Sequence, residues 1–128
     1  MEREGVWQSY TRNQVDMGGH GFNATLRDYA RFGQFLLNEG QVSNGDKMLP
    51  DGWIAQATDW NKAKGSVSES YPKGVYGFQW WNSHAKKGSP LTTLNGEATF
   101  WGLGIFGQVL AINPKDKIVM MQWSTWEV

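Results

Sequence analysis

Apolar positions first settle into a helical rhythm at Leu26, Tyr29, Ala30, Phe32, Leu36 and Leu37. Spacings of three and four residues put these side chains on one stripe. Thr25 stands in front of the run and Asp28 three residues later, the arrangement of a capping box. Gly40 stands where helices commonly stop. The pattern predicts an amphipathic helix from Leu26 to Glu39, with Arg27, Asp28, Arg31, Gln34 and Asn38 on its polar face. Upstream, residues 1–23 carry little periodicity. They hold Trp7, Tyr10 and a glycine-rich run from Asp16 to Asn23, and predict an irregular leading segment.

Past the helix, Gln41-Val42 and Lys47-Met48-Leu49 flank Ser43-Asn44-Gly45-Asp46, and Asn-Gly between short runs signals a hairpin. Pro50 opens a second helix through Trp53, Ile54 and Ala57. Residues 59–75 read as a polar loop. The remainder reads as sheet: strands at 76–82, 100–112 and 117–125, with a loop at 83–98 and a turn at Asn113-Pro114-Lys115-Asp116. The middle segment is apolar on both faces. It offers Trp101, Leu103, Ile105 and Val109 to one side and Phe100, Phe106, Leu110 and Ile112 to the other. The expectation is an α/β (α+β) domain, a three-stranded antiparallel sheet in chain order with two packed helices. Two helices cover one sheet face. The other face calls for a partner, so a homodimer is expected, burying about 800 Å² per subunit around Trp and Phe side chains.

Composition narrows the function. A length of 128 residues fits one domain. Twelve Lys+Arg balance 12 Asp+Glu, which argues against a general nucleic-acid or anionic-membrane binder. There is no cysteine, so disulfides, thiolate metal sites and thiol catalysis are excluded. No apolar run approaches the ~20 residues of a membrane span, and the start has no signal-peptide core; the compartment stays open, with cytoplasm the default. Eight Trp and 16 Gly suit strands, tight turns and an aromatic-lined cleft. Trp80, Trp81, Trp101, Trp123 and Trp126 fall on or beside the strands, where packing competes with cleft lining.

Candidate chemistry is sparse. His20 and His84 have no partner at ligand spacing, so no metal and no cofactor is expected. The glycines of Gly102-Leu103-Gly104-Ile105-Phe106-Gly107 lie within a strand pattern that no helix follows, unlike a phosphate loop. Two Ser-x-x-Lys tetrads occur, Ser70-Tyr71-Pro72-Lys73 and Ser83-His84-Ala85-Lys86. Such a tetrad activates serine when it opens a helix, since one turn brings the amine to the hydroxyl. Pro72 and the polar loop context argue against a helix at either place, so an enzyme using Ser70 or Ser83 is the weakest reading.

Three segments together resemble the C-terminal part of the serine β-lactamase-related hydrolases, which include class C β-lactamases, D-alanyl-D-alanine carboxypeptidases, esterases and amidases. They are the run from Gly18 to Gly33, with its Ala24-Thr25-Leu26-Arg27-Asp28-Tyr29-Ala30-Arg31-Phe32 core; Tyr76-Gly77-Phe78-Gln79-Trp80-Trp81; and Trp101-Gly102-Leu103-Gly104-Ile105-Phe106-Gly107-Gln108, followed by Asn113-Pro114 and Ile118-Val119-Met120. The last is similar to the 6-aminohexanoate-dimer hydrolase branch. The resemblance runs from about residue 15 to 126 and implies a partial β-lactamase-like fold.

The departures matter as much. The family's nucleophile helix and tyrosine motif precede the matched region, and no Tyr-x-Asn occurs here. The family's Lys/His-Thr/Ser-Gly motif is met by Gly102-Leu103-Gly104, without the basic and hydroxyl residues. What the resemblance leaves is the backbone N–H of Ile105, a candidate oxyanion-hole donor, with Gly104, Phe106 and Gln108 lining a cleft beside it. No catalytic residue is assigned. The expectation is a C-terminal portion of a serine hydrolase for amides or esters, inactive alone and lacking an upstream domain. The alternative is an independent homo-oligomeric binding or assembly module derived from that fold.

Overall fold

A computed structural model describes residues 1–10, 15–16, 18–62, 75–82 and 99–125. The predicted helix is there: α1 spans Leu26–Leu37, and Thr25 caps it by accepting the Asp28 N–H at 3.1 Å. The helix ends two residues before the predicted Glu39, because Glu39 (φ 52°) and Gly40 (φ 81°) both turn left-handed. Gly40 has a second constraint, since a Cβ there would sit 2.6 Å from Leu49 Cβ. A short α2 follows at Trp53–Ala57.

The Asp28 carboxylate is used differently from a capping box. It accepts from the backbone N–H groups of Glu2 (2.7 Å) and Arg3 (3.3 Å), the Thr25 hydroxyl (2.9 Å) and the Arg31 guanidinium (3.0 Å). Arg31 also pairs with Glu2. The side chain is 1% exposed and ties the start of the chain to the helix N-terminus. The Glu2 N–H, ahead of the Thr25 and Arg31 bonds, holds the Asp28 pKa at about 2, against the opposing pull of burial. A lowered folded pKa favours the fold above the unfolded value of about 4, and that contribution is lost as pH falls through about 2. Asp28→Asn is therefore expected to lower the melting temperature at neutral pH and to flatten the acid limb. Circular dichroism melts between about pH 2 and pH 7 read both effects.

Within 1–23, expected to be irregular, the described residues include two small antiparallel ribbons. Strand β1 (Val6–Trp7) pairs with β4 (Phe22–Asn23), and β2 (Ser9–Tyr10) with β3 (Val15–Asp16). Trp7 and Phe22 rings meet at 4.7 Å, and the Tyr29 hydroxyl donates to the Phe22 carbonyl at 2.7 Å, docking the ribbon on α1.

The main sheet corrects the three-stranded expectation. It has five antiparallel strands in chain order: β5 (Tyr76–Gly77), β6 (Trp80–Trp81), β7 (Phe100–Leu103), β8 (Val109–Asn113) and β9 (Ile118–Gln122). The expected strand 76–82 is a hairpin, because Phe78 and Gln79 both adopt positive φ, as a tight primed turn requires. The expected strand 100–112 is also a hairpin, reversing over Gly104–Gly107 with Gly107 at φ 86°. Its turn matches the one at Val42–Gly45, where Gly45 at φ 93° plays the same part. Ile105 and Phe106 thus belong to an exposed turn and not to the sheet faces assigned to them above.

One sheet face packs Phe100, Leu110 and Ile112 against Leu36, with Ile54, Trp60, Trp80, Val119 and Met121 around them. The helix contact is rotated from the predicted stripe: Leu26 and Phe32 are exposed, and Gly33 faces the sheet. A Cβ on Gly33 would lie 2.4 Å from Val119 Cγ1, so backbone touches strand there. The opposite face centres on Trp101, Val109 and Ala111, with Trp81, Leu103 and Met120 beside them. Trp101 is fully buried within the single chain. The centre of that face is therefore covered within the chain.

Candidate functional site

The end of β7 is where the sheet stops being paired on both sides. Gly102 and Leu103 pair with Leu110 and Val109 of β8. On the other side β6 meets β7 at the single pair Trp81–Trp101. Beyond Trp101 no described strand covers that edge. The Gly104 N–H donates to the Gln108 carbonyl at 2.8 Å, fixing 104 and 108 as a hydrogen-bonded pair. Alternation along an antiparallel ladder then points the Leu103 N–H and C=O away from β8, toward the open edge.

The turn that follows is closed by the Gly107 N–H donating to the Gly104 carbonyl at 3.0 Å. Ile105 occupies its second position. Its side chain is 80% exposed and its N–H donates to no acceptor among the described residues. Phe106, at the third position, is also exposed. A Cβ at Gly104 would lie 2.4 Å from Gln108 Oε1, so a larger residue there would displace the Gln108 side chain. Gln108 thus fills the space beside residue 104, and its Nε2 donates to the Ser124 carbonyl at 3.5 Å. The Ser124 hydroxyl donates in turn to the Gly107 carbonyl, and to that of Phe106 at 3.4 Å. Gln108 and Ser124 bind the turn to the end of β9 and set its position. Nothing in the sequence pattern singles out Ser124, because its role depends on strand register.

Of the candidate residues, Gly104, Ile105, Phe106 and Gln108 fall together in this one turn. The tetrads at Ser70 and Ser83, and His84 and Trp126, lie outside the described residues. His20 is exposed in a turn. No metal-holding group of three His, Cys, Asp or Glu occurs among the described residues. Trp80 packs edge-on to Phe100 at 4.8 Å and Trp81 packs on Tyr76, so both serve the sheet; Trp123 is exposed. Grooves lie elsewhere, one between α2 and Phe100 and one around Lys47 and Lys117. Neither touches the 104–108 turn. The candidate site is placed at the turn because a backbone donor without an acceptor among the described residues stands there, beside a strand edge that no described strand covers. Such a donor can stabilise an oxyanion; it supplies neither a nucleophile nor a base.

Comparison with known proteins agrees with the architecture. A family profile described as Beta-lactamase matches residues 2–128. The chain belongs to the β-lactamase family. A 6-aminohexanoate-dimer hydrolase from Paenarthrobacter ureafaciens is 29% identical over 121 aligned residues, which cover 88% of this chain. The same match covers 28% of that relative, so the chain spans little more than a quarter of its length. The family membership and this relative together mark the chain as related to serine hydrolases of the β-lactamase type. No described helix is long and apolar enough to cross a membrane.

Proposed function

We propose that this chain forms the oxyanion-binding wall of a serine hydrolase acting on amide or ester bonds. In this reading the nucleophilic serine, its lysine and the tyrosine come from polypeptide outside these 128 residues, and the chain alone is inactive. One observation carries it: the Ile105 N–H, at the tip of the β7–β8 hairpin, has no acceptor among the described residues, and no described strand covers the adjoining edge of β7. The substrate class follows the relative named for the 6-aminohexanoate dimer.

The chemistry divides accordingly. Serine would attack the carbonyl carbon, the C=O electron pair would move to oxygen, and the leaving amine or alcohol would depart with a proton. Water would then hydrolyse the acyl-serine. The Ile105 N–H would donate to the oxygen at both tetrahedral stages, a bond typically contributing ~3 kcal/mol. A single donor without a nucleophile cannot run either stage.

The test joins this chain to the part of the Paenarthrobacter relative that precedes the matched region. The joined, folded protein is expected to hydrolyse the 6-aminohexanoate dimer and p-nitrophenyl esters, and the chain alone to leave both at background. A folded but inactive joined protein would count against the reading.

A further inference from the structure

The pair Asn44-Gly45, a hairpin signal in the sequence, sits at the tip of the loop between α1 and α2. Gln41 and Lys47 face each other across an antiparallel bridge. Between them the Val42 N–H donates to the Asp46 carbonyl and the Gly45 N–H to the Val42 carbonyl, both at 2.9 Å. Gly45 stands at φ 93°, yet a Cβ there would meet nothing within 4 Å. Glycine is therefore needed at 45 for its backbone conformation and not for space. The same choice puts an asparagine side chain next to the least hindered kind of backbone nitrogen. Both residues are exposed, so water reaches them.

Such a pair carries chemistry of its own. The Gly45 nitrogen attacks Cγ of Asn44, forming a C–N bond and closing a five-membered imide ring. The Gly45 proton passes to solvent, the Cγ–Nδ2 bond breaks, and Nδ2 leaves as ammonia after taking a proton from water. Water then opens the ring at either carbonyl, giving aspartate or isoaspartate at 44. The fold acts on the attack in two directions. The Asp46 N–H donates to Asn44 Oδ1 at 3.0 Å, drawing electrons from Cγ and favouring it. Against it, the Gly45 N–H is held by Val42, and Asn44 Nδ2 donates to Asp46 Oδ2 at 2.7 Å. The nucleophile decides, because the ring closes only after Gly45 gives up Val42 and the Asn44 side chain turns.

We propose that Asn44 is a self-modifying position, converted to aspartate or isoaspartate when the 42–46 turn opens and protected while it is closed. Conversion keeps the turn from closing as before. The new carboxylate has no proton to donate to Asp46 and faces it as a like charge; isoaspartate also lengthens the backbone inside the turn. Gly40, just before the turn, lies against Leu49, just after it, so loosening here reaches the end of α1. This chemistry needs only the loop and water, and is independent of the hydrolase reading.

The test incubates the chain at mildly alkaline pH and follows the tryptic peptide 32–47 by mass spectrometry, with fragmentation separating Asn44 from Asn38. The folded chain is expected to convert Asn44 at least about tenfold more slowly than the same chain in guanidinium chloride, since only the open fraction of the turn reacts. Asp46→Ala frees Nδ2 and should raise the folded rate roughly two- to tenfold. Asn44→Asp, which builds one product directly, should lower the melting temperature by about 2–5 °C, and by less in an Asp46→Ala background. Equal rates in the folded and denatured chain overturn the proposal, as does a denatured chain that keeps Asn44 intact. That comparison needs no variant, so it decides even if Asp46→Ala fails to fold.

Discussion

Replacing Ile105 by proline in the joined protein is expected to lower kcat about 10²–10³-fold, the usual loss for one oxyanion donor. Ile105→Ala should change it little. The contrast follows from which atom acts. Alanine removes the exposed side chain and keeps the N–H; proline keeps an apolar side chain and removes the N–H. Proline also suits this place, the second position of a turn, so the hairpin should survive. Retained folding of both variants is checked by circular dichroism, and the kcat values come from p-nitrophenyl ester hydrolysis. Equal activity of the two would remove Ile105 from the chemistry. Loss in both would point to the side chain and a binding role instead.

Trp101→Ala should have the largest effect on stability. The side chain is fully buried on the sheet face away from the helices, against Val109 and Ala111, with Trp81, Leu103 and Met120 beside them. Truncating a buried tryptophan typically costs about 3–5 kcal/mol, roughly a fifth or more of the usual 5–15 kcal/mol stability of a domain. Urea unfolding should show a much lower midpoint. A change under about 1 kcal/mol would mean that this face is not closed by the chain and collapses readily around the vacancy.

Both effects depend on features that the sequence reveals unevenly. The helix was legible because Thr25, Asp28 and the three-four spacing are local signals. Its contact face was less so, since hydrophobic periodicity gives no weight to Gly33, the residue that lies on Val119. The sheet's order was legible, its strand count was not. Ile105 and Phe106 extend an apolar run through what is a turn, and the cue was the positive-φ glycine at 107. Phe78 and Gln79 carry no such cue, since neither is a residue type that favours positive φ. The four candidate residues of the site were found through family resemblance, and the turn does gather them. The Gln108–Ser124 clamp arises from the pairing of β8 with β9 and has no local signature.

In the proposed reading the chain holds a wall of a hydrolase site without its nucleophile. Fluorophosphonate labelling of the chain alone, read by mass spectrometry and paired with ester turnover, tests it most directly. No serine is expected to take the label, and turnover is expected to stay at background. A label on Ser70 or Ser83, with turnover that disappears in the matching serine-to-alanine variant, would contradict it.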